Sequence, residues 1–313
     1  MSTQTRIADL VASPIALANI VSKTYKAHNT LTASGVAVTG PEVDLLLAGG
    51  SQIQGLNVIN RVDATQYNVS TDDYDQKGAV GKIGAHPYTA LRMDLNWGWC
   101  YTDLVRMITK YDVRAGLTSA IPLFWNDLGE NLAVSAMKGV IAAEADLTIG
   151  DGTEAFSTDL LIDAAASGGL NSRSFKNVFV SPKTLAKMQK ANINAYVPAS
   201  QTDLGFASYA GFNLFVTNAF GDDTTVMAAD GALAFATGLV PGEIGAEIQR
   251  DASAGNGGGG EILRVRNSVV IAPQGASYKG PAGPTMAQLA TAANWSLVAL
   301  PEDIGFRAIH HSV

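Results

Sequence analysis

Along residues 87–97 apolar and polar positions alternate. Thr89, Leu91, Met93, Leu95 and Trp97 would share one face, and Ala90, Arg92, Asp94 and Asn96 the other. A period of two belongs to a β-strand. Residues 53–69, rich in Val, Ile, Thr, Tyr and Asn, predict its partner. The stretch STDDYDQKGAVGKIGAH (70–86) between them is polar, long and studded with glycine. Together, residues 51–98 predict an extended two-stranded arm with a long tip. A single hairpin is marginally stable in water. It needs a surface to lie on, and no neighbouring segment supplies one.

The period changes to that of a helix in two places. After Ser13-Pro14, which suits a helix start, Leu17, Ile20, Val21, Thr24, Tyr25 and His28 form one apolar stripe. One stripe cannot build a core, so residues 1–50 read as an N-terminal arm, with Leu31 to Gly40 as loop. The second helix is predicted to open with Ser119 as its cap and Pro122 in its first turn. Phe124, Trp125, Leu128, Leu132, Met137, Val140 and Ile141 continue its stripe to residue 145. Such a helix would be about 36 Å long, enough to act as a spine.

Beyond residue 150 short elements mix. Asn177 to Val180 predicts a buried strand, and Ser181-Pro182 starts a helix with Leu185 and Met188 inward. GFNLFVTNAF predicts another strand, and TTVMAADGALAF a strand, a turn at Asp230-Gly231 and a further strand. Residues 150–242 thus read as a compact α+β unit. Residues 243–272 read as a second hairpin, with Ile244, Ala246 and Ile248 alternating before DASAGNGGGG and Leu263, Val265, Val269 and Ile271 after it. In 273–313, Thr285 caps a short helix with Met286, Leu289 and Ala293, and WSLVAL and IGFRAI are strands.

Composition narrows the function. Apolar residues make up 47% of the 313, ample for a core, while charged residues are only 16%. About 25% is usual. A surface so poor in charge fits one covered by partner subunits. The net charge of −7 leaves no basic footprint for tight DNA binding. Cys100 is the single cysteine, so no disulfide can form within the chain. Residues 1–13 lack the apolar run of a signal peptide, and no stretch predicts a membrane helix.

No catalytic, cofactor or metal constellation emerges. A phosphate cradle needs a strand leading into a helix, so that backbone amides converge on the anion. DASAGNGGGG lies between two strands and reads as a hairpin tip, where glycine permits positive φ and close approach. Gly81-Lys82-Ile83 lacks the hydroxyl of a phosphate loop. Asp72, Asp73 and Asp75 lack the closing carboxylate of a calcium loop and read as a solvated turn. His28, His86, His310 and His311 show no metal-ligand spacing. Ser277 has Lys279 where a nucleophile elbow needs glycine. Cys100, between Trp99 and Tyr101, reads as a buried structural thiol.

The order of elements and some local wording carry a resemblance. LFWNDLGENLAVSAMKGVIAAE (123–144) resembles the spine-helix segment of phage coat proteins. VFVSPKTLAKMQKANI (178–193) resembles the strand and helix of their axial domain. GPTMAQLATAANW (283–295) and PEDIGFRAI (301–309) resemble one branch's C-terminal ending. The chain therefore resembles tailed-bacteriophage major capsid proteins, the Hong Kong ninety-seven capsid fold. The likeness is scattered over residues 119–310 and leaves the first 50 uncovered.

The resemblance implies an α+β fold with an N-terminal arm (1–50), an extended loop (51–98) across a neighbouring subunit, and a peripheral domain with the spine helix (99–149). It assigns 150–242 and 273–313 to an axial domain, and 243–272 to a peripheral hairpin. Tyr74, Lys77 and Lys82 would make inter-subunit contacts at the loop tip; Arg250, Asp251, Asn256 and Glu261 would meet another capsomer. It further implies pentamers and hexamers closing into an icosahedral head around double-stranded DNA, held without sequence-specific contacts. Scaffolding, portal and decoration proteins are implied partners, and the virion, after assembly in the host cytoplasm, the location. In one crosslinked relative a loop lysine attacks an asparagine with a glutamate as base. Lys77 or Lys82, Asn256 and Glu261 hold broadly similar places here.

Two other readings stay open on the sequence. A bacterial nanocompartment shell of the same fold would enclose a cargo enzyme instead of DNA. A soluble α/β enzyme would be a monodisperse monomer stabilised by its ligand.

Overall fold

A computed structural model of the chain describes residues 30–59, 66–109, 112–191, 196–198 and 207–312. The helix predicted after Ser13-Pro14 lies outside them. Helices α1 (Thr30–Ala33) and α2 (Pro41–Ala48) flank strand β1 (Ala37–Val38). Strands β2 (Ile53–Ile59) and β3 (Ala85–Thr102) lead to α3 (Asp103–Thr109) and the 31-residue α4 (Val113–Ala143). Then come β4 (Thr148–Ile149), α5 (Thr158–Ala166), β5 (Phe175–Val180), α6 (Pro182–Ala191), β6 (Tyr196–Val197), β7 (Ala207–Tyr209), β8 (Phe212–Val216) and β9 (Thr224–Ala229). The chain closes with β10 (Leu233–Gly238), β11 (Ala246–Asp251), β12 (Gly260–Pro273), β13 (Ala276–Tyr278), α7 (Met286–Leu289), β14 (Trp295–Leu297) and β15 (Phe306–His310).

Two large sheets hold these elements. One runs β1-β10-β12-β3-β2, with β11 paired to the first half of β12; the other runs β4-β15-β9-β5-β8-β7-β6. The spine helix joins them. Leu132, Met137 and Val140 of α4 share one core with Leu91, Met93 and Ile271 of the first sheet and Phe179, Val226 and Phe306 of the second. The far face of the second sheet is covered by α5 and α6, through Leu161, Ala164 and Met188 on Val178, Val180 and Met227. With apolar layers on both sides, Val178, Phe179 and Val180 of β5 form a continuous apolar run rather than an alternating one.

Helix α4 begins six residues before the predicted Ser119 cap. Asp112 is the actual cap, its carboxylate accepting from Ala115 N at 3.1 Å. Pro122 lies inside the helix and Ser119 donates to the Gly116 carbonyl. Pro122 was a misleading signal because a proline that suits a first turn also survives where the lost bond faces solvent. The spine is therefore about 46 Å long rather than 36.

The hairpin finds its support far away in sequence. β3 pairs with β2 from Ile53↔Leu91 to Ile59↔Ala85, and on its other edge with β12 from Ile271↔Leu91 to Gly260↔Thr102. The strand predicted to reach residue 69 ends at Ile59, and 66–70 carry no regular structure. Both faces of β3 are covered at its middle: Leu91 and Met93 enter the main core, and Ala90 lies under Leu46 and Leu47 of α2.

Residues 30–48, predicted as arm and loop, dock on the body. Leu31, Val36 and Ala37 are buried, and β1 pairs in parallel with β10. Glu130 of α4 accepts from Thr30 N at 2.9 Å and from its hydroxyl. The Arg92 guanidinium donates to the Leu47 and Gly49 carbonyls at the C-terminal end of α2, where a cation is favourable. These contacts join positions far apart in sequence, so no local pattern announces them.

The Asp230-Gly231 turn changes sheets instead of closing a hairpin. β9 pairs with β5 and β15, whereas β10 pairs with β1 and β12. Gly231 has φ of +73° and donates to the Gly35 carbonyl at 2.9 Å. Cys100 is half-buried, not buried, because it lies opposite Ile262 beyond the reach of the main core.

The C-terminal end carries a buried titrating group. The His311 ring is fully buried, hydrogen-bonded at Nε2 to the Thr225 hydroxyl (3.0 Å) and edge-on to Phe156. Burial holds its pKa below the ordinary 6.5; nearby Lys187 and His310 act the same way, Asp223 and the Ser312 carbonyl against it. The unfolded chain therefore binds the proton more readily. Stability is complete above about pH 6.5 and falls as pH drops toward the native pKa. Thermal melts between pH 7.5 and 5 are expected to show this loss in the wild type and a flatter profile in His311→Gln. Identical slopes would remove the assignment.

Candidate assembly surfaces

The tip of the first hairpin, residues 66–84, projects its apolar side chains into solvent: Tyr74 is 98% exposed and Val80 95%. Tyr67, Val69 and Ile83 are exposed too. The loop is nevertheless shaped. Asn68 bridges its two limbs, donating to the Ala79 carbonyl (2.7 Å) and accepting from Ala79 N (3.1 Å). At the apex Asp73 accepts from Asp75 N, and Gln76 N donates to the Asp73 carbonyl. Tyr74, Lys77 and Lys82 all lie on this exposed loop.

The second hairpin is confirmed as strand, tip, strand, with β11 and β12 in register from Ala246↔Val265 to Asp251↔Gly260. Gly255 and Asn256 take the left-handed conformation, with φ of 62° and 58°. Asn256 tolerates it better than most side chains, and its glycine neighbours adopt it freely. Asp251 accepts from both the backbone N–H and the hydroxyl of Ser253, which hold its carboxyl below the usual range.

Beneath this tip lies a charged network. Arg250 donates to Asp103 at 2.5 Å and to Glu261 at 3.3 Å. The Tyr101 hydroxyl donates to the other Glu261 oxygen. Burial, then Glu261, push the Tyr101 phenol up to about 12. The Arg250 hydrogen bond holds Asp103 below the usual carboxylate range. Arg250 is half exposed, so solvent screens both ion pairs and they mainly fix geometry. Sequence reasoning found Arg250 and Glu261 but missed Tyr101 and Asp103, which sit at the end of β3 and reach the tip only through strand pairing. Glu261 thus accepts from both Tyr101 and Arg250.

Two apolar faces stand uncovered near the network. β11 is exposed along its length, and the predicted alternation of Ile244 and Ile248 points to solvent, with Ile244 63% exposed. Helix α3 anchors through Val105 and Thr109 but leaves Leu104, Met107 and Ile108 in solvent. Arg106 of the same helix and Arg114 of α4 are exposed too.

No family model matches the sequence, and no curated protein matches it. Solved structures do. The chain is similar to one from Microbacterium phage Oxtober96, at 12% identity and TM-score 0.60, covering 98% of this chain and 99% of that one. It is similar to the capsid of Ralstonia phage GP4, at 11% identity and TM-score 0.57, covering 88% and 94%. The capsid of Myoviridae Phage XM1 gives 11% identity and TM-score 0.54, covering 93% and 94%. The architecture is thus a phage capsid architecture. This chain has the α+β fold of phage major capsid proteins, the Hong Kong ninety-seven fold.

Proposed function

We propose that the protein is a major capsid protein that assembles with itself into pentamers and hexamers of an icosahedral phage head around double-stranded DNA. The observation that carries this reading is likeness along most of both chains to capsid structures, 88% and 94% for phage GP4 and 93% and 94% for phage XM1. Its work is mechanical: many modest interfaces repeated over a closed lattice.

Within this reading residues 1–50 act as the arm and 51–98 as the extended loop laid across a neighbour. Residues 99–149 and 243–272 form the peripheral domain; 150–242 and 273–313 form the axial domain at the centre of each capsomer. Arg250, Asp251, Asn256 and Glu261 meet another capsomer, and Tyr74, Lys77 and Lys82 meet a neighbouring subunit. The net charge of −7 suits an inner wall that confines DNA without gripping it. Scaffolding, portal and decoration proteins are the further partners of such a shell, with assembly in the host cytoplasm.

Replacing residues 68–82 by two glycines tests the role of the loop. The tip contributes no residue to any buried cluster, so the variant is expected to keep the wild-type circular dichroism and melting point. Its assembled fraction by size-exclusion chromatography is expected to fall at least tenfold. Full assembly without the tip would overturn this role.

A further inference from the structure

We propose that Asn256, at the tip of the second hairpin, is a self-modification site: it loses its side-chain amide to attack by the Gly257 backbone nitrogen and leaves a permanent carboxylate at the tip. The reaction stands on its own chemistry; only its consequence rests on the self-assembly reading above.

The sequence sets the reaction. Asn256 is the one asparagine of the chain followed by glycine, so no side chain shields the next backbone nitrogen. That nitrogen attacks Cγ of Asn256 and closes a five-membered imide ring. The Cγ–Nδ2 bond breaks, the proton of the attacking amide passes by way of water to the departing nitrogen, and ammonia leaves. Water then opens the ring at one carbonyl or the other, giving aspartate or isoaspartate. Water is the only co-reactant, and nothing is oxidised or reduced.

The structure gives the reaction room. Asn256 and Gly257 are both exposed, and no atom lies within 4 Å of where a Cβ on Gly257 would stand. Asn68 is exposed too, but it precedes Val69 and both ends of its amide are held by Ala79. Asn177 is buried in β5, with its amide on Asp230 and Asn213.

The closed turn sets the timing. Asn256 has φ of 58° and ψ of 43°. This ψ turns the Gly257 nitrogen away from the Asn256 side chain, and the Gly257 N–H donates to the Ser253 carbonyl at 3.2 Å. That bond must open, and the nitrogen must swing to the other side, before attack. Opening costs little. Gly257, Gly258 and Gly259 have no side chains to move, residues 252–258 belong to no buried cluster, and Asn256 leaves a left-handed conformation that is costly for a side chain.

The product changes the charge of the tip. Residues 252–260 carry no base, and Arg250 is already held by Asp103 and Glu261. A carboxylate at position 256 joins Asp251 unneutralised and weakens a contact made through the tip.

Peptide mapping by mass spectrometry tests the site, on unassembled full-length chain incubated at mildly alkaline pH. Conversion of amide to acid is expected at Asn256 at least tenfold faster than at any other asparagine, with isoaspartate and free ammonia as products. The free peptide DASAGNGGGG is expected to convert at least threefold faster than the same residues in the folded chain. No conversion at Asn256, or faster conversion elsewhere, overturns the site; equal rates in peptide and folded chain overturn the protection by the turn. Asn256→Asp imitates one product. It is expected to keep the wild-type circular dichroism, because aspartate also visits the left-handed region, and to lower the assembled fraction at least threefold. If it assembles as the wild type does, the consequence and the contact assigned to Asn256 fall while the modification stands. A wild type that converts at Asn256 but never assembles overturns the assembly reading alone.

Discussion

Replacing Arg307 by methionine is expected to destabilise the folded chain by about 2–5 kcal/mol, because buried carbonyls left without a donor cost about 1–3 kcal/mol each and the removal of a desolvated charge offsets only part of that. Arg307 lies in β15 and is fully buried. Its Nε donates to the Ser167 hydroxyl, its Nη1 to the Ile304 and Phe306 carbonyls, and its Nη2 to the Pro301 carbonyl at 2.7 Å. The guanidinium also lies 5.3 Å from the centre of the Phe175 ring. No carboxylate pairs with it among the described residues; Asp146 and Glu302 act only at a distance. Methionine fills similar space and removes every donor, leaving carbonyls that were tied to one side chain. Arg307→Lys is expected to recover little, because one compact ammonium cannot span the fork. Denaturant unfolding of the unassembled chain checks both variants. A methionine variant within 1 kcal/mol of wild type would contradict this account on the scale of ordinary surface substitutions, which move stability by about 0.5 kcal/mol.

The second large effect is at Gly139, in the spine helix. A Cβ there would collide with the Leu289 carbonyl oxygen and the Trp295 indole. Those groups are hydrogen-bonded to each other at 2.7 Å, and both residues are buried. Alanine in a helix is better than glycine by about 1 kcal/mol. Against it stand overpacking, about 1–3 kcal/mol, and strain on a buried hydrogen bond, about 1–3 kcal/mol. The clash outweighs propensity. Gly139→Ala is expected to cost about 2–4 kcal/mol net, drawn from those same terms. Its melting temperature is expected to fall several degrees. An unchanged or raised value would show that residues 285–297 move aside freely, and that α4 and the C-terminal segment are not locked together there.

Both sites show where sequence reasoning runs out. IGFRAI was legible as a strand, since its apolar residues alternate around Arg307. That the arginine itself is buried depends on Ser167 and on carbonyls a few residues upstream, turned inward by the fold. The stripe from Phe124 to Ile141 put Gly139 in the spine helix but gave no reason for the glycine until Trp295 came to lie on it.

Elements governed by local chemistry were legible. The Thr285 cap is real, as a capping box with Gln288, and Ser181 accepts from Thr184 N at the start of α6. The glycine tip is a turn between two paired strands, as its flanking alternation implied. What failed depended on distant partners. Pro122 drew the spine's start too late, Asp230-Gly231 switches sheets, and Thr30–Ala48 joins the body through Glu130 and Arg92. Leu104, Met107 and Ile108 escaped notice because seven residues are too few for a periodic signal, and their exposure is visible only once α3 is placed.

The central claim is that this chain works as one copy among many in a closed shell. Its most direct test is electron microscopy of the purified, expressed chain after size-exclusion chromatography. The account predicts rings of five and six subunits or closed shells of uniform size. A monodisperse monomer at every concentration would contradict it.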